Sequence, residues 1–219
     1  MTDALNDLLA SMLPEARLGR LEAVVAQRLS GLTVVLEDLH HPQNMGACVR
    51  TAEALGLTEV TAVDHADDPF RPTHKISRGG QKWLQIRRFR TIGAALDALE
   101  HRGFRLLATS PDAEVPLDEL DFSEPTALMF GNELDGLSMD AMRRAHGSFR
   151  IPMFGFTQSL NISVAVGIAL AQAAAGRRRA LGRPGDLTDE EQAALRERFL
   201  GRAVRTSTRI AEALAAQKQ

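Results

Sequence analysis

Three things are scarce in this 219-residue chain, and each closes off a class of protein. Cysteine occurs once, at Cys48, which excludes an internal disulfide framework and any multi-cysteine zinc site. Long apolar runs are missing: charged residues interrupt every stretch before it reaches membrane-spanning length, so no membrane is expected as a partner. The first residues, Met-Thr-Asp-Ala-Leu-Asn-Asp, place no basic segment ahead of an apolar one, and the cytoplasm is the expected compartment. Internal repeats and low-complexity segments are lacking too.

What is present suits one sizeable globular domain with an extension. Net charge is -2, but it is unevenly spread. Lys75, Arg78, Lys82, Arg87, Arg88 and Arg90 form a stretch with no acidic residue, whereas Asp112 to Asp140 contains no Lys or Arg. After Gly176 the chain is basic again, opening with Arg177, Arg178 and Arg179 and continuing through Arg183, Arg196, Arg198, Arg202, Arg205 and Arg209. A chain of nearly balanced charge can still present a local phosphate-binding face; the plainer reading is a solvated, salt-bridged surface.

In chain order, Leu18, Leu21, Val24, Val25 and Leu29 recur at helical spacing until Gly31. Leu32–Glu37 reads as a short buried strand, Asp38 to Asn44 as a polar loop, and Met45 to Leu55 as a helix ended by Gly56. Glu59–Asp64 is the next strand. The prolines of Asp67 to Pro72 require a loop. Gly79-Gly80 marks a turn before a strand over Trp83–Phe89. Thr91 caps a helix to about Arg102, and Phe104–Thr109 is a strand. Thr126–Phe130 is a continuous apolar run suited to a parallel sheet, Ser138 caps a helix, and Phe149–Met153 is the last strand. A long apolar helix follows, with Ser159 a candidate N-cap, and the capping box Thr188-Asp-Glu-Glu191 opens another. The alternation predicts an α/β domain with a mostly parallel sheet flanked by helices.

Open α/β sheets bind ligands at the carboxyl ends of their strands, and three loops there carry chemistry. The first motif is Asn44-x-Gly46-x-x-x-Arg50-Thr-x-x-x-x-Gly56. The second is Phe130-Gly131-Asn132-Glu133-x-x-Gly136-Leu-Ser138. The third is Ile151-Pro152-Met153 followed by Ser159-Leu160-Asn161-x-Ser163. Together, over about Leu32 to Arg178, they resemble the SpoU/TrmH branch of the SPOUT superfamily, RNA ribose 2'-O-methyltransferases that use S-adenosylmethionine. No G-x-G-x-x-G follows a strand, which argues against a Rossmann-type methyltransferase or a dehydrogenase.

The resemblance implies a C-terminal deep trefoil knot, a homodimer, and three segments: a helical extension over residues 1–30, the methyltransferase domain over 31–180, and a helical extension over 181–219. It implies that Ile151, Met153 and Leu160 hold the adenine, that Thr109 and Gly131 line the rest, and that Ser159 and Asn161 fix the loop. Asn44, Arg50 and Glu133 are the catalytic set. In related enzymes the residue matching Arg50 is proposed as the catalytic group. A guanidinium stays protonated, so it suits a clamp on a phosphate and a developing alkoxide better than a base. Glu133 would orient Asn44 or Arg50. Short extensions, in place of a separate N-terminal RNA-binding domain, resemble the members that modify guanosine-18 of the tRNA D-loop. RNA phosphates would meet Arg17, Arg20, Lys75, Arg78, Lys82, Arg177, Arg178 and Arg179; tRNA is the expected partner, and DNA is not.

Other readings of single residues stand beside these. By position alone Arg50 suits an ion pair with Glu53. His40-His41 has no third ligand, so no metal is expected. Cys48 fits a small core residue, and Trp83 and Phe89 fit core positions as well as base stacking. A ribosomal RNA target, another tRNA ribose such as one in the anticodon loop, or a non-catalytic RNA-binding protein of the same fold remain alternatives.

Overall fold

The computed structural model describes residues 2–64 and 79–216, with side chains described within 6–64 and 79–205. It divides into two compact units: Leu29–Pro184, and Met1–Arg28 together with Gly185–Gln219.

The larger unit is built on a parallel sheet. Its strands are β1 (Leu32–Glu37), β2 (Glu59–Val63), β3 (Gln85–Phe89), β4 (Arg105–Thr109), β5 (Val115–Pro116), β6 (Thr126–Phe130) and β7 (Gly147–Arg150). Among the described residues they lie in the order β3-β2-β1-β6-β4-β7-β5, and every pairing is parallel. Parallel neighbours require crossovers, and the helices supply them: α3 (Pro42–Ala54), α4 (Ile92–Glu100), α5 (Met139–Arg144) and α6 (Ile162–Leu181). Side-chain alternation then sorts the core into two layers. Leu32, Val34 and Leu36 of β1, with Leu128 and Phe130 of β6, meet Cys48, Val49 and Ala52 of α3 and Val166, Ala169 and Leu170 of α6. On the opposite face, Val35, Ala127 and Met129 meet Ile92, Leu96 and Leu99 of α4 and Ala141 of α5. β1 and β6 are buried on both faces, which is why their sequences are mainly apolar and show no regular polar alternation.

Several boundaries differ from the sequence expectations. α3 begins three residues early because Pro42 occupies its first turn, where a missing N–H costs nothing. Trp83 lies after a 3-10 turn at Gly80–Lys82, and the strand starts at Gln85. The last strand ends at Arg150 rather than Met153, since Pro152 has no N–H for a ladder. α6 is capped by Asn161 and not by Ser159: Asn161 Oδ1 accepts from the Ser163 backbone N–H at 2.9 Å and from its hydroxyl at 2.6 Å. The proposed caps Thr91 and Ser138 do form, through Ala94 N at 3.4 Å and Ala141 N at 3.2 Å. The Asp67 to Pro72 loop lies outside the described residues.

In the smaller unit, α1 (Thr2–Ser11) and α2 (Glu15–Ala26) both pack along α7 (Asp189–Ala216). Thus the two terminal segments form one body. Leu21 and Val25 are buried on α2, and Leu195, Phe199, Leu200 and Ala203 on α7. Arg28 is 1% exposed, with its guanidinium 5.5 Å from the Phe199 ring centre. The capping box is complete: Glu191 N donates to Thr188 Oγ1 at 3.2 Å, and Thr188 N to Glu191 Oε2 at 2.8 Å.

Candidate active site

Four adjacent strands, β1, β6, β4 and β7, deliver their following loops to one edge of the sheet. Between β1 and β6 the strand order reverses, because the chain runs outward through β2 and β3 and then returns beyond β6. Such a switch point opens a crevice at the carboxyl ends. The cavity there has a volume of about 440 Å³. Thr109, Gly131, Ile151, Met153, Ser159, Leu160 and Asn161, the residues expected to bind a cofactor, all line it. They come from three loops, so no single segment of sequence contains the site.

One wall is the loop between β6 and α5. It folds back on itself: Asn132 N and O pair with Gly136 O and N, both at 3.2 Å. Asn132 Oδ1 accepts from Leu134 N at 2.8 Å and Asp135 N at 2.7 Å, and Gly136 turns the chain at φ +70°. Gly131 sits so close to this turn that a Cβ would lie 1.9 Å from the Gly136 carbonyl carbon and oxygen. Only glycine fits. The opposite side is fixed by Arg150, whose guanidinium donates to Ala113 O at 2.7 Å and also to Glu114 O. Thr109 Oγ1 donates to Met129 O at 2.8 Å, tying β4 to β6 beneath the cavity.

Asn44 and Arg50 lie outside the cavity lining, yet Asn44 is wired to it. Its Nδ2 donates to Glu133 Oε1 at 2.5 Å, and its Oδ1 accepts from Asn161 Nδ2 at 3.2 Å. One side chain thereby joins all three motifs. Burial pushes the Glu133 carboxyl up, but the Asn44 amide, the Glu133 backbone N–H, the nearby His41 and the His40 backbone outweigh it and hold the carboxyl below its ordinary value. Glu133 is therefore an ionised acceptor and not a proton donor. Arg50 is exposed, and it has no hydrogen-bond or ion-pair partner among the described residues, so the pair with Glu53 does not form. Cys48 is fully buried, and burial, only partly offset by a backbone hydrogen bond, pushes its thiol up to about 12. It is a core residue.

Residues 31–171 match the SpoU rRNA Methylase family. A tRNA (guanosine(18)-2'-O)-methyltransferase of Thermus thermophilus is 40% identical over 169 residues, which is 76% of this chain and 86% of the relative. The chain belongs to the SpoU methylase family. Its fold agrees: the A. aeolicus TrmH/SpoU tRNA modifying enzyme superposes with a TM-score of 0.77 at 33% identity, covering 87% of this chain and 98% of that one. The SpoU methyltransferase AviRb from Streptomyces viridochromogenes, solved in complex with the cofactor AdoMet, gives 0.62 at 29% identity over 69% of this chain and 58% of that one.

SpoU methylases use S-adenosylmethionine, and the cavity suits it. Ile151, Met153 and Leu160 offer an apolar surface to a base, while Gly131 and the turn behind it present backbone groups at close range. Among the described residues no group of three or more His, Cys, Asp or Glu is placed to hold a metal ion.

The expected RNA contacts of this SpoU methylase fare unevenly. Lys75 and Arg78 lie outside the described residues, and so does the Arg209 side chain. Arg177 must be reassigned: it is 6% exposed, and its guanidinium donates to Phe122 O at 3.2 Å and Ser123 O at 3.0 Å. Gly31 makes room for it, since a Cβ there would lie 2.2 Å from Nη2. Arg178 is also committed to main-chain carbonyls, at Pro184 (2.8 Å) and Leu55 (2.9 Å). Both are structural cations: the buried Arg177 needs its donors satisfied, and the half-buried Arg178 spends its donors on main-chain oxygens. Arg179, Arg20 and Lys82 are exposed, and Arg17 is partly so. In the tail, Arg196 pairs with Glu22 at 2.7 Å.

Sequence reading missed Arg150 and Glu37. Arg150 follows an ordinary strand pattern and is singled out only by the carbonyls it meets. Glu37 ends β1 as a carboxylate at 3% exposure, accepting Ser138 N at 2.9 Å. The available signal was an acidic residue closing an otherwise apolar central strand.

Proposed function

We propose that this chain methylates the ribose 2'-OH of guanosine-18 in the tRNA D-loop. The observation that carries this reading is the three-way junction at Asn44, which fastens the expected cofactor cavity to the helix bearing Arg50. The nucleoside follows from the Thermus thermophilus relative, whose name states that substrate. S-adenosylmethionine supplies an electrophilic methyl group on a sulfonium centre. Ile151, Met153 and Leu160 hold its adenine, and Thr109, Gly131, Ser159 and Asn161 shape the remaining wall. The Arg50 guanidinium, without a partner among the described residues, clamps the phosphate beside the target ribose and stabilises the oxyanion that forms. The 2'-OH proton leaves through a phosphate or water, because neither Arg50 nor the ionised, amide-bound Glu133 is suited to take it. Positioning contributes most of the rate.

The finer assignments form part of the same proposal. Phe154 and Phe156 are fully exposed, and Val164 and Ile168 form an exposed apolar stripe at a four-residue spacing on α6, which supports a homodimer. Strand β6 inserts between β1 and β4, and β7 between β4 and β5, which supports the trefoil-knot threading of the superfamily. Arg17, Arg20, Lys82 and Arg179 are the phosphate contacts for tRNA. A tRNA substrate supports the cytoplasm as the compartment. No helix of the described residues is long and apolar enough to cross a membrane.

The test is methyl transfer from labelled S-adenosylmethionine to unmodified tRNA and, separately, to ribosomal RNA, with ribose mapping. The expected product is 2'-O-methylguanosine in the D-loop. Product on ribosomal RNA alone, or in the anticodon loop, would keep the chemistry and replace the substrate. Cofactor binding without transfer to either RNA would favour a non-catalytic RNA-binding protein.

A further inference from the structure

We propose that Glu37 is a positioning residue for the cofactor cavity: its buried carboxylate anchors the far end of the Gly131–Leu137 wall by accepting the Ser138 backbone N–H. This rests on the reading that the cavity holds S-adenosylmethionine.

Glu37 is the last residue of β1, and the register Leu36↔Phe130 places it beside the point where β6 leaves the sheet. At 3% exposure the side chain is out of water, and it is not part of the cavity lining. Oε2 accepts from Ser138 N at 2.9 Å across 101 residues of sequence, whereas Oε1 is buried with no hydrogen-bond partner. A carboxylate oxygen left unpartnered in a protein interior is destabilising, and an apolar side chain of similar volume would avoid that penalty. The wall explains the choice. At its start the ladder with β1 fixes Phe130; in its middle the Asn132–Gly136 pair closes the loop on itself, and Glu133 is held by Asn44 of α3 rather than by the sheet. Glu37 reaches from the sheet to the wall's end. Without it, the end of the wall at Leu137 and Ser138 loses this tie to β1 and can shift, and a shifted wall no longer matches the ligand it lines.

Four variants separate this from general loss of packing. Glu37→Gln keeps an oxygen for the N–H; Glu37→Ala removes it. Ser138→Ala keeps the N–H and loses only the hydroxyl cap. Ser138→Pro removes the N–H at a residue whose φ of −60° already matches the proline ring. S-adenosylmethionine affinity is measured by calorimetry, with kcat at saturating cofactor and tRNA affinity alongside. Glu37→Ala and Ser138→Pro are expected to weaken the cofactor about tenfold or more, the scale of a buried N–H and its acceptor parted, with a smaller fall in kcat and tRNA affinity nearly kept. Glu37→Gln and Ser138→Ala should stay near the parent, and the double variant Glu37→Ala/Ser138→Pro should be no worse than either single. Unchanged cofactor affinity in Glu37→Ala overturns the proposal. So does Glu37→Gln failing as badly as Glu37→Ala, or Ser138→Ala as badly as Ser138→Pro. No cofactor binding by the parent protein would instead sink the reading of the cavity. If the variants do not fold, hydrogen exchange on the parent decides: the Ser138 amide is expected to be protected with β6, and fast exchange there overturns the anchor.

Discussion

The Asn44 amide donates to the Glu133 carboxylate at 2.5 Å across 89 residues of sequence. Since the same Asn44 accepts from Asn161, it joins the loops that follow β1, β6 and β7 at one point. Such a junction does two things. It keeps Glu133 ionised, and it orders α3 relative to the cavity, so that Arg50 is carried by an element already fastened to the cofactor wall.

Glu133 gives this junction a pH signature. Its folded carboxyl lies below the ordinary value of 4.5, so its contribution to stability is complete above that value and fades as pH falls through the lowered folded one. The stability difference between the parent and Glu133→Gln is expected to be constant from neutral pH to about pH 5 and to shrink below it. Denaturation at a series of pH values measures this; a difference that grows on acidification would contradict the sign.

Arg50→Ala is expected to lower kcat by about two to three orders of magnitude, as removal of a transition-state donor does, while S-adenosylmethionine affinity stays near normal. Arg50→Lys should recover little, because an ammonium cannot reproduce the planar fork. Lost cofactor affinity in Arg50→Ala would count against the clamp.

Gly131→Ala forces a methyl group against the Gly136 carbonyl at 1.9 Å, which the turn can meet only by moving. A stability loss of about 1–3 kcal/mol is expected from overpacking, with cofactor affinity falling by a larger factor than that loss explains in a protein still mostly folded. Thermal unfolding and calorimetry on one sample compare the two.

Arg177→Met and Arg179→Ala should part company. The first leaves the Phe122 and Ser123 carbonyls without a buried donor and is expected to lower stability by about 1–3 kcal/mol with tRNA affinity unchanged. The second should leave stability alone, weaken tRNA binding and reduce the slope of log affinity against log salt by about one. Equal effects of both on tRNA binding would return Arg177 to the RNA surface.

Much of this fold was determined by the sequence itself, and the reason is local. β1 and β6 fall where the mainly apolar runs Leu32–Glu37 and Thr126–Phe130 predicted them, because a strand buried on both faces is predominantly apolar. Thr91, Ser138 and the Thr188–Glu191 box cap their helices through bonds spanning three residues, which sequence order alone can specify. The seven residues expected around the cofactor share one cavity. What depends on distant packing was decided only in three dimensions. Arg177 reads in sequence as one of three equivalent arginines; burial against Phe122 and the gap at Gly31 make it structural, while Arg179, two residues on, stays in water. Asn161 displaced Ser159 as cap because the chain stays irregular along the cavity until it reaches α6. Glu37 gains its role from the sheet order, which sets β1 beside β6 and brings Ser138 within 2.9 Å. Periodicity and caps are written within a few residues; a guanidinium, an amide or a carboxylate acquires its partner only when strands far apart in the chain become neighbours.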